Sequence, residues 1–307
     1  MELGTNGSLS ANIRKNTNFG YLLAFVSSAL FGTIPTLAKP TVETVNPLVL
    51  AAFVSIIAAV VFTPSALRSK ISLTKKNLSL IIIIAILGTV FAPTLYFIGL
   101  KTTTASNATI LSNSEIIFTV IIALLIFRER VGKTGFISIG LVFTGICLIA
   151  LNFNLESIFD FQNVGNWLIV ATMLCWAFDN NISKFITKTV DVPRIIQLKS
   201  LIGGAILFSL VYAFQLPITI EINNITNVVF LGVFGLAIPL FLFYHALKRI
   251  GTIKTILIFS TSPIFGVIYA SIFLNEVLMT YQIVAMFLMI GGILLLRKDK
   301  FTIKKVL

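Results

Sequence analysis

The chain has 307 residues, 57% of them hydrophobic and only 11% charged, with a formal net charge of +12. A soluble domain carries roughly twice that share of charge, so the composition excludes one and points to an integral membrane protein. The basic residues lie in short segments between apolar runs and form no basic domain. Lipid is therefore the expected surroundings, and a nucleic-acid partner is not expected.

Taken in chain order, residues 1–18 are polar and rich in Ser, Asn and Thr, without a short apolar region and cleavage site; they read as a disordered cytoplasmic tail. A spanning helix needs about 20 mainly apolar residues. Ten runs meet this or come close: 19–38, 47–66, 78–98, 105–127, 134–151, 165–185, 194–215, 226–247, 253–274 and 280–296. The last is short, but Arg297 and Lys298 can snorkel from its end. Residues 297–307 read as a basic cytoplasmic tail. The expected fold class is an all-α integral membrane protein with ten transmembrane helices. Connections are too short for a soluble domain, so function is expected inside the membrane. Cys147 and Cys175 stand alone in apolar runs and suggest neither a disulfide nor a metal site. No Walker loop or zinc spacing is present, so no enzyme, cofactor or metal is expected.

Charge placement orients the spans. With a cytoplasmic N-terminus, 20 of the 23 Lys and Arg residues fall on the inner side; only Lys39 and Lys101 fall outside, and Lys199 lies within a span. That split predicts a multi-pass cell-membrane protein with both termini in the cytoplasm.

The two halves resemble each other at a nearly constant shift. GYLLAFVSSALFGTIPTLAK (20–39) aligns with GNWLIVATMLCWAFDNNISK (165–184) at a shift of 145. IIFTVIIALLIFRERV (116–131) aligns with PIFGVIYASIFLNEVL (263–278) at a shift of 147, which places Glu129 on Glu276. The loops alternate in charge between the halves: residues 66–77 hold four basic residues and their mate at 216–225 none. Five spans per half, an odd number, make the second half (165–296) enter upside down relative to the first (19–151). Such inverted repeats are a signature of secondary transporters.

These features resemble the EamA family of the drug/metabolite transporter superfamily, over about residues 19–296. In that family the fourth span of each half ends in Phe or Leu, one residue, then Glu; Phe127-Arg128-Glu129 and Leu274-Asn275-Glu276 fit. Pro263 supplies the proline favoured in that span, whereas the first half has Ile116 there. Gly140 and Gly145, and Gly291 and Gly292, answer to the small-residue fifth span. The resemblance implies a permease for small metabolites such as amino acids, usually an exporter.

Ionisable residues inside a membrane tend to face a cavity or a partner. Glu115 is the clearest, on a stripe of Ala108, Ser112, Glu115 and Thr119 spaced as one helix face; Asn113 and Ser114 add polarity beside it. The mate of that face is Thr255, Phe259, Ser262 and Gly266. Asp179, Asn180 and Asn181 in succession point around most of a turn and require protein or water around them. Counted from the outer ends at 1.5 Å per residue, Glu115 lies about 15 Å deep and Asp179 about 20 Å. Asp179 is read either as a site residue or as a bridge to Lys199 or Lys184. Lys199, five residues into its span, is read first as snorkelling to the cytoplasmic side and otherwise as a substrate or pairing group. His245, the single histidine, is read as interfacial. Trp176, Tyr96 and Tyr244 are candidate aromatic walls, and Trp167 and Tyr281 interfacial anchors. Pro35, Pro93, Pro239 and Pro263 are expected to kink their helices.

The expected function is a secondary transporter of a small-molecule substrate, monomeric or homodimeric, with alternating access around a site built from the third, fourth, sixth, eighth and ninth spans. Coupling to protons through Glu115 is part of that expectation. The alternatives are a proton-independent facilitator or channel, and a membrane receptor without transport.

Overall fold

The computed structural model describes residues 5–69, 73–127, 132–151 and 161–296. Among them every regular element is helical. The first apolar run is broken at Gly32 into α1 (Thr5–Phe31) and α2 (Thr33–Thr44). Then follow α3 (Pro47–Arg68), α4 (Lys75–Ala85), a π-helical segment (Ile86–Phe91) and α5 (Ala92–Thr102). The next run is broken at Ser112 and Asn113 into α6 (Ala105–Leu111) and α7 (Ser114–Phe127), and α8 (Lys133–Ala150) closes the first half. The second half has α9 (Phe161–Ile186), α10 (Val192–Ala213), α11 (Ile222–Phe230), a second π segment (Leu231–Ala237) and α12 (Ile238–Ile250). It ends with α13 (Thr252–Phe259), α14 (Ser262–Leu274) and α15 (Thr280–Leu296).

Among the described residues, eight helical runs are long and apolar enough to cross a membrane. The other two expected spans are both helical. One, α9, carries Asp179, Asn180, Asn181 and Lys184; the other, α15, has only 17 residues. The chain is a multi-pass membrane protein. Its outer surface agrees: Phe136, Phe143, Phe273 and Phe287 are each more than 60% exposed, which only a lipid environment favours. Helix α1 begins at Thr5, within the stretch up to Asn18. No proline interrupts Thr5–Phe31, and extending a helix already nucleated by an apolar run costs little. The segment 297–307 and Glu129 lie outside the described residues.

Four of the prolines sit where the helices break or change geometry, whereas Pro40 and Pro64 lie inside α2 and α3. Pro93 and Pro239 occupy the first turn after the two π segments, and Pro263 the first turn of α14. Proline lacks the N–H that an interior position donates; the first turn of α14 has no intrahelical use for it, and at Pro93 and Pro239 the α-helical ladder is already interrupted by the π turn just before. Pro35 likewise falls in the first turn of α2. The π segments and the breaks at 112–113 and 260–261 thus recur at corresponding places in the two halves.

Packing recurs in the same way. α3 packs on α10 and α8 on α15, while α1 packs on α12 as α9 packs on α5. Ser27 Oγ donates to the Pro239 carbonyl at 2.7 Å, and Thr172 Oγ1, at a shift of 145, donates to the Ala92 carbonyl at 3.3 Å. Gly165 permits the close α5–α9 crossing, since a Cβ there would lie 2.6 Å from the Gly99 carbonyl oxygen.

Candidate functional site

The polar centre is built on α9. Asp179 forms a salt bridge with Lys199 of α10, and both side chains are only 3% exposed. Ser183, one turn on, donates to Asp179 Oδ1 at 2.8 Å, and Tyr244 of α12 donates to the same oxygen at 3.3 Å. Lys199 Nζ also donates to Tyr244 Oη at 3.2 Å, and the Ser183 and Tyr244 hydroxyls lie 2.9 Å apart. The carboxylate therefore has a cation and two hydroxyls, which is what a buried charge requires. Lys199 does not snorkel. Its first-turns position would let it reach the membrane surface, but a buried carboxylate within reach holds it inside.

Glu115 comes from the other half. It sits in the first turn of α7, just after the break, where the helix dipole favours negative charge. Asn180 Nδ2 donates to Glu115 Oε1, so neighbouring residues of α9 hold the two acids. Glu115 is 7% exposed.

Both acids line a small cavity together with Gly88, Thr89, Trp176, Asn180, Lys199 and Ser200. Its apolar side is Phe31, Leu236, Pro239, Leu240, Phe243 and Phe259. The aromatic rings form a chain: Trp176 to Phe31 at 5.4 Å, Phe31 to Phe259 at 4.9 Å and Phe259 to Phe243 at 5.0 Å between centroids. The π segment shapes the rim. The Gly88 carbonyl accepts Trp176 Nε1–H at 3.2 Å, and a Cβ on Gly88 would lie 2.0 Å from Asp179 Oδ2. Thus Asp179 fits only against a glycine.

Of the residues singled out from sequence, Glu115, Trp176, Asp179, Asn180 and Lys199 meet at this cavity, and Tyr244 supports it from behind. Tyr96 lines a smaller neighbouring cavity on the other side of Trp176. Asn181 is turned away, donating to the Ala177 carbonyl at 2.9 Å and the Thr119 carbonyl at 3.4 Å. The stripe expected along the fourth span does not survive intact. The break at 112–113 shifts its phase, so Ser112 bonds the Ala108 carbonyl of its own helix at 2.9 Å, and Ser112, Asn113 and Thr119 do not line the cavity. Ser262 is buried in the packing beside Gly32 and does not line it either. Sequence reasoning missed Phe31, Gly88, Thr89, Ser200 and Phe243, and named Phe259 only as part of the face that mates with the Glu115 stripe. Only Phe31 carried a signal, since it aligns with Trp176 at a shift of 145. His245 stacks edge-on to Phe241 and lies 3.0 Å from Arg249, near the end of α12.

The EamA-like transporter family matches twice, at residues 18–151 and 163–298, and the chain belongs to it. A protein of Methanothermobacter thermautotrophicus named an uncharacterized transporter is 27% identical over 91% of this chain and 86% of its own. The uncharacterized transporter YyaM of Bacillus subtilis is 25% identical over 89% of this chain and 92% of its own. A solved crystal structure superposes with a TM-score of 0.66 over 90% of this chain and 95% of that chain, at 17% identity, a likeness of fold.

Proposed function

We propose that the protein is a secondary transporter that exports small metabolites such as amino acids, by alternating access around the Asp179–Lys199–Glu115 cavity. All ten helical runs cross the cell membrane as a five-plus-five inverted repeat with both termini in the cytoplasm. Family membership and the transporter names of the relatives support a transporter over an enzyme. The recurrence of π segments, breaks and helix pairings supports the repeat, and the placement of Lys and Arg supports the orientation.

The observation that carries the reading is the cavity itself. It lies between the two halves and holds one neutralised acid and one acid without a cation among its hydrogen-bond partners. Asp179 is matched by Lys199, which leaves Glu115 to take a proton or an ammonium group. Coupling requires only that its affinity for that partner differ between the two open states.

The test is uptake and counterflow in proteoliposomes under an imposed pH gradient. Glu115→Gln keeps size and the bond to Asn180 but cannot ionise. It should leave expression intact and remove the response to the gradient. A variant that transports normally at every pH makes Glu115 structural and favours the proton-independent facilitator. Cysteines at Ser69 and Asn223 should label from opposite faces; labelling from one face sinks the topology.

A further inference from the structure

A second set of polar groups lies outside the cavity. α2, α6 and α14 pack on one another, very closely at Gly32 and Gly266, where a Cβ on Gly32 would lie 3.0 Å from the Gly266 nitrogen and one on Gly266 2.8 Å from Thr109 Oγ1. In and beside this seam, Thr36, Ser106, Thr109, Asn113 and Ser114 are more than nine-tenths buried. None of their hydroxyls makes a hydrogen bond, and neither end of the Asn113 amide does. Many other hydroxyls of these helices are satisfied locally: Ser55, Thr63 and Ser138 each bond the carbonyl four residues back at 2.7–2.8 Å, and outside the seam Thr94 and Thr119 are the buried hydroxyls without a partner among the described residues. A buried polar group without a partner is costly in any low-dielectric interior. A cluster of five residues in one seam needs a reason.

The seam runs toward the end of the bundle where side chains from several elements clamp the junction between α5 and α6. Lys39, near the end of α2, donates to the Leu100 carbonyl at 2.9 Å and the Thr103 carbonyl at 2.8 Å. Asn275 reverses the chain after α14 in the left-handed conformation, φ 55°. The next residue, Glu276, accepts the Ala105 and Ser106 N–H groups at 2.8 Å each. Gln282 of α15 donates to Asn107 Oδ1 at 2.6 Å. First and second halves are thereby bonded to each other over the end of the seam.

We propose that this seam is the outer half of the translocation path, closed here, and that it parts and hydrates when the Lys39–Glu276 clamp releases. The inference rests on the transporter reading and its orientation, and assigns the path on one side of the cavity. Its logic is that groups unpaired in the closed state are paired by water, or by a passing polar solute, in the open one. The clamp offsets the cost of keeping them dry.

The test uses the full-length protein with Cys147 and Cys175 replaced by serine, in intact cells, and a membrane-impermeant cationic methanethiosulfonate as probe. Thr109→Cys and Asn113→Cys should react from outside, and Val142→Cys, packed between α8 and α15, should not. Glu276→Gln keeps one acceptor but turns an NH₂ toward a backbone N–H, and should speed both reactions about tenfold, the equivalent of one charge-assisted hydrogen bond. Lys39→Gln is the second clamp variant should the first fail to reach the membrane. Seam cysteines that stay unreactive in both backgrounds, or react at a rate the clamp does not change, overturn the proposal. Clamp-dependent labelling in a protein that moves no solute would keep the seam and sink the transporter reading; transport with an unreactive seam would do the reverse.

Discussion

The two cavities flanking Trp176 are lined in part by residues that correspond between the two halves, and they differ in chemistry. The larger has Asp179, Lys199, Pro239 and Phe243 in its wall or rim. The smaller has Ile34, Val54, Pro93 and Phe97, which align with those four residues at shifts of 145 or 146. Proline and phenylalanine are common to both, while an ion pair in one stands where two aliphatic side chains stand in the other. A repeated frame therefore shapes two cavities, and substitutions at two positions make one of them polar. Glu115 enlarges the difference, since its mate at a shift of 147 is Ser262, which does not line the smaller cavity.

The largest effect should come from breaking the ion pair on one side. Lys199→Met leaves the Asp179 carboxylate buried without a cation, and should cost about 3–5 kcal/mol of stability. Thermal unfolding in detergent reads this directly. Asp179→Ile with Lys199→Met makes the cavity resemble its mate and should restore the melting temperature to that of the parent or above, because a buried pair is often no more stable than apolar residues of similar volume. Ser183 and Tyr244 would keep each other as partners. The double variant should be folded and inactive. If it transports, the ion pair is scaffolding and the chemical difference between the cavities has no functional meaning.

Next in size is the contrast between two glycines of the π segments. Gly88→Ala drives a methyl into the Asp179 carboxylate, and a misfit of that kind costs about 1–3 kcal/mol. At Gly235 the nearest atoms to a Cβ are Leu231 Cδ1 at 3.0 Å and Ile34 Cγ1 at 3.2 Å, side-chain carbons that can shift. Gly235→Ala should be nearly neutral. Equal losses at both positions would mean that the π segments, rather than the Asp179 contact, set the requirement.

Much of this was legible in the sequence, for identifiable reasons. Apolar length and proline placed the helices, and the shift of 145–147 foretold that features would recur in pairs. Asp179, Asn180 and Asn181 announced a protein-lined polar centre because three consecutive polar residues point around most of a helical turn and need protein or water on all those sides. What stayed hidden depended on departures from α-helical geometry. The break at 112–113 rotates the fourth run, so a stripe drawn at ideal spacing pointed Ser112 and Thr119 at a cavity they do not line. The π segments gave no periodic signal, and so Gly88 and Thr89 passed unnoticed. For Lys199 the sequence leaves two readings, snorkelling from a helix end and a bridge to Asp179, and only the fold brings the two side chains together.

The smallest effect tests which cavity is used. The chain has two tryptophans: Trp176, which borders both cavities, and Trp167, near the start of α9 and 38% exposed. Trp176→Phe removes the bond to the Gly88 carbonyl and should cost only about 1 kcal/mol. Trp167→Phe leaves Trp176 as the single emitter, and a transported solute should shift or quench its fluorescence; Trp167 alone should report nothing. Because Trp176 touches both cavities, the signal by itself does not choose between them, but the glycine variants do. Gly235→Ala alters the wall of the apolar cavity and should leave the signal in place, whereas Gly88→Ala displaces Asp179 and should abolish it. The opposite pattern would move the binding site to the Ile34–Val54 side, and would leave the buried ion pair to hold the second half together.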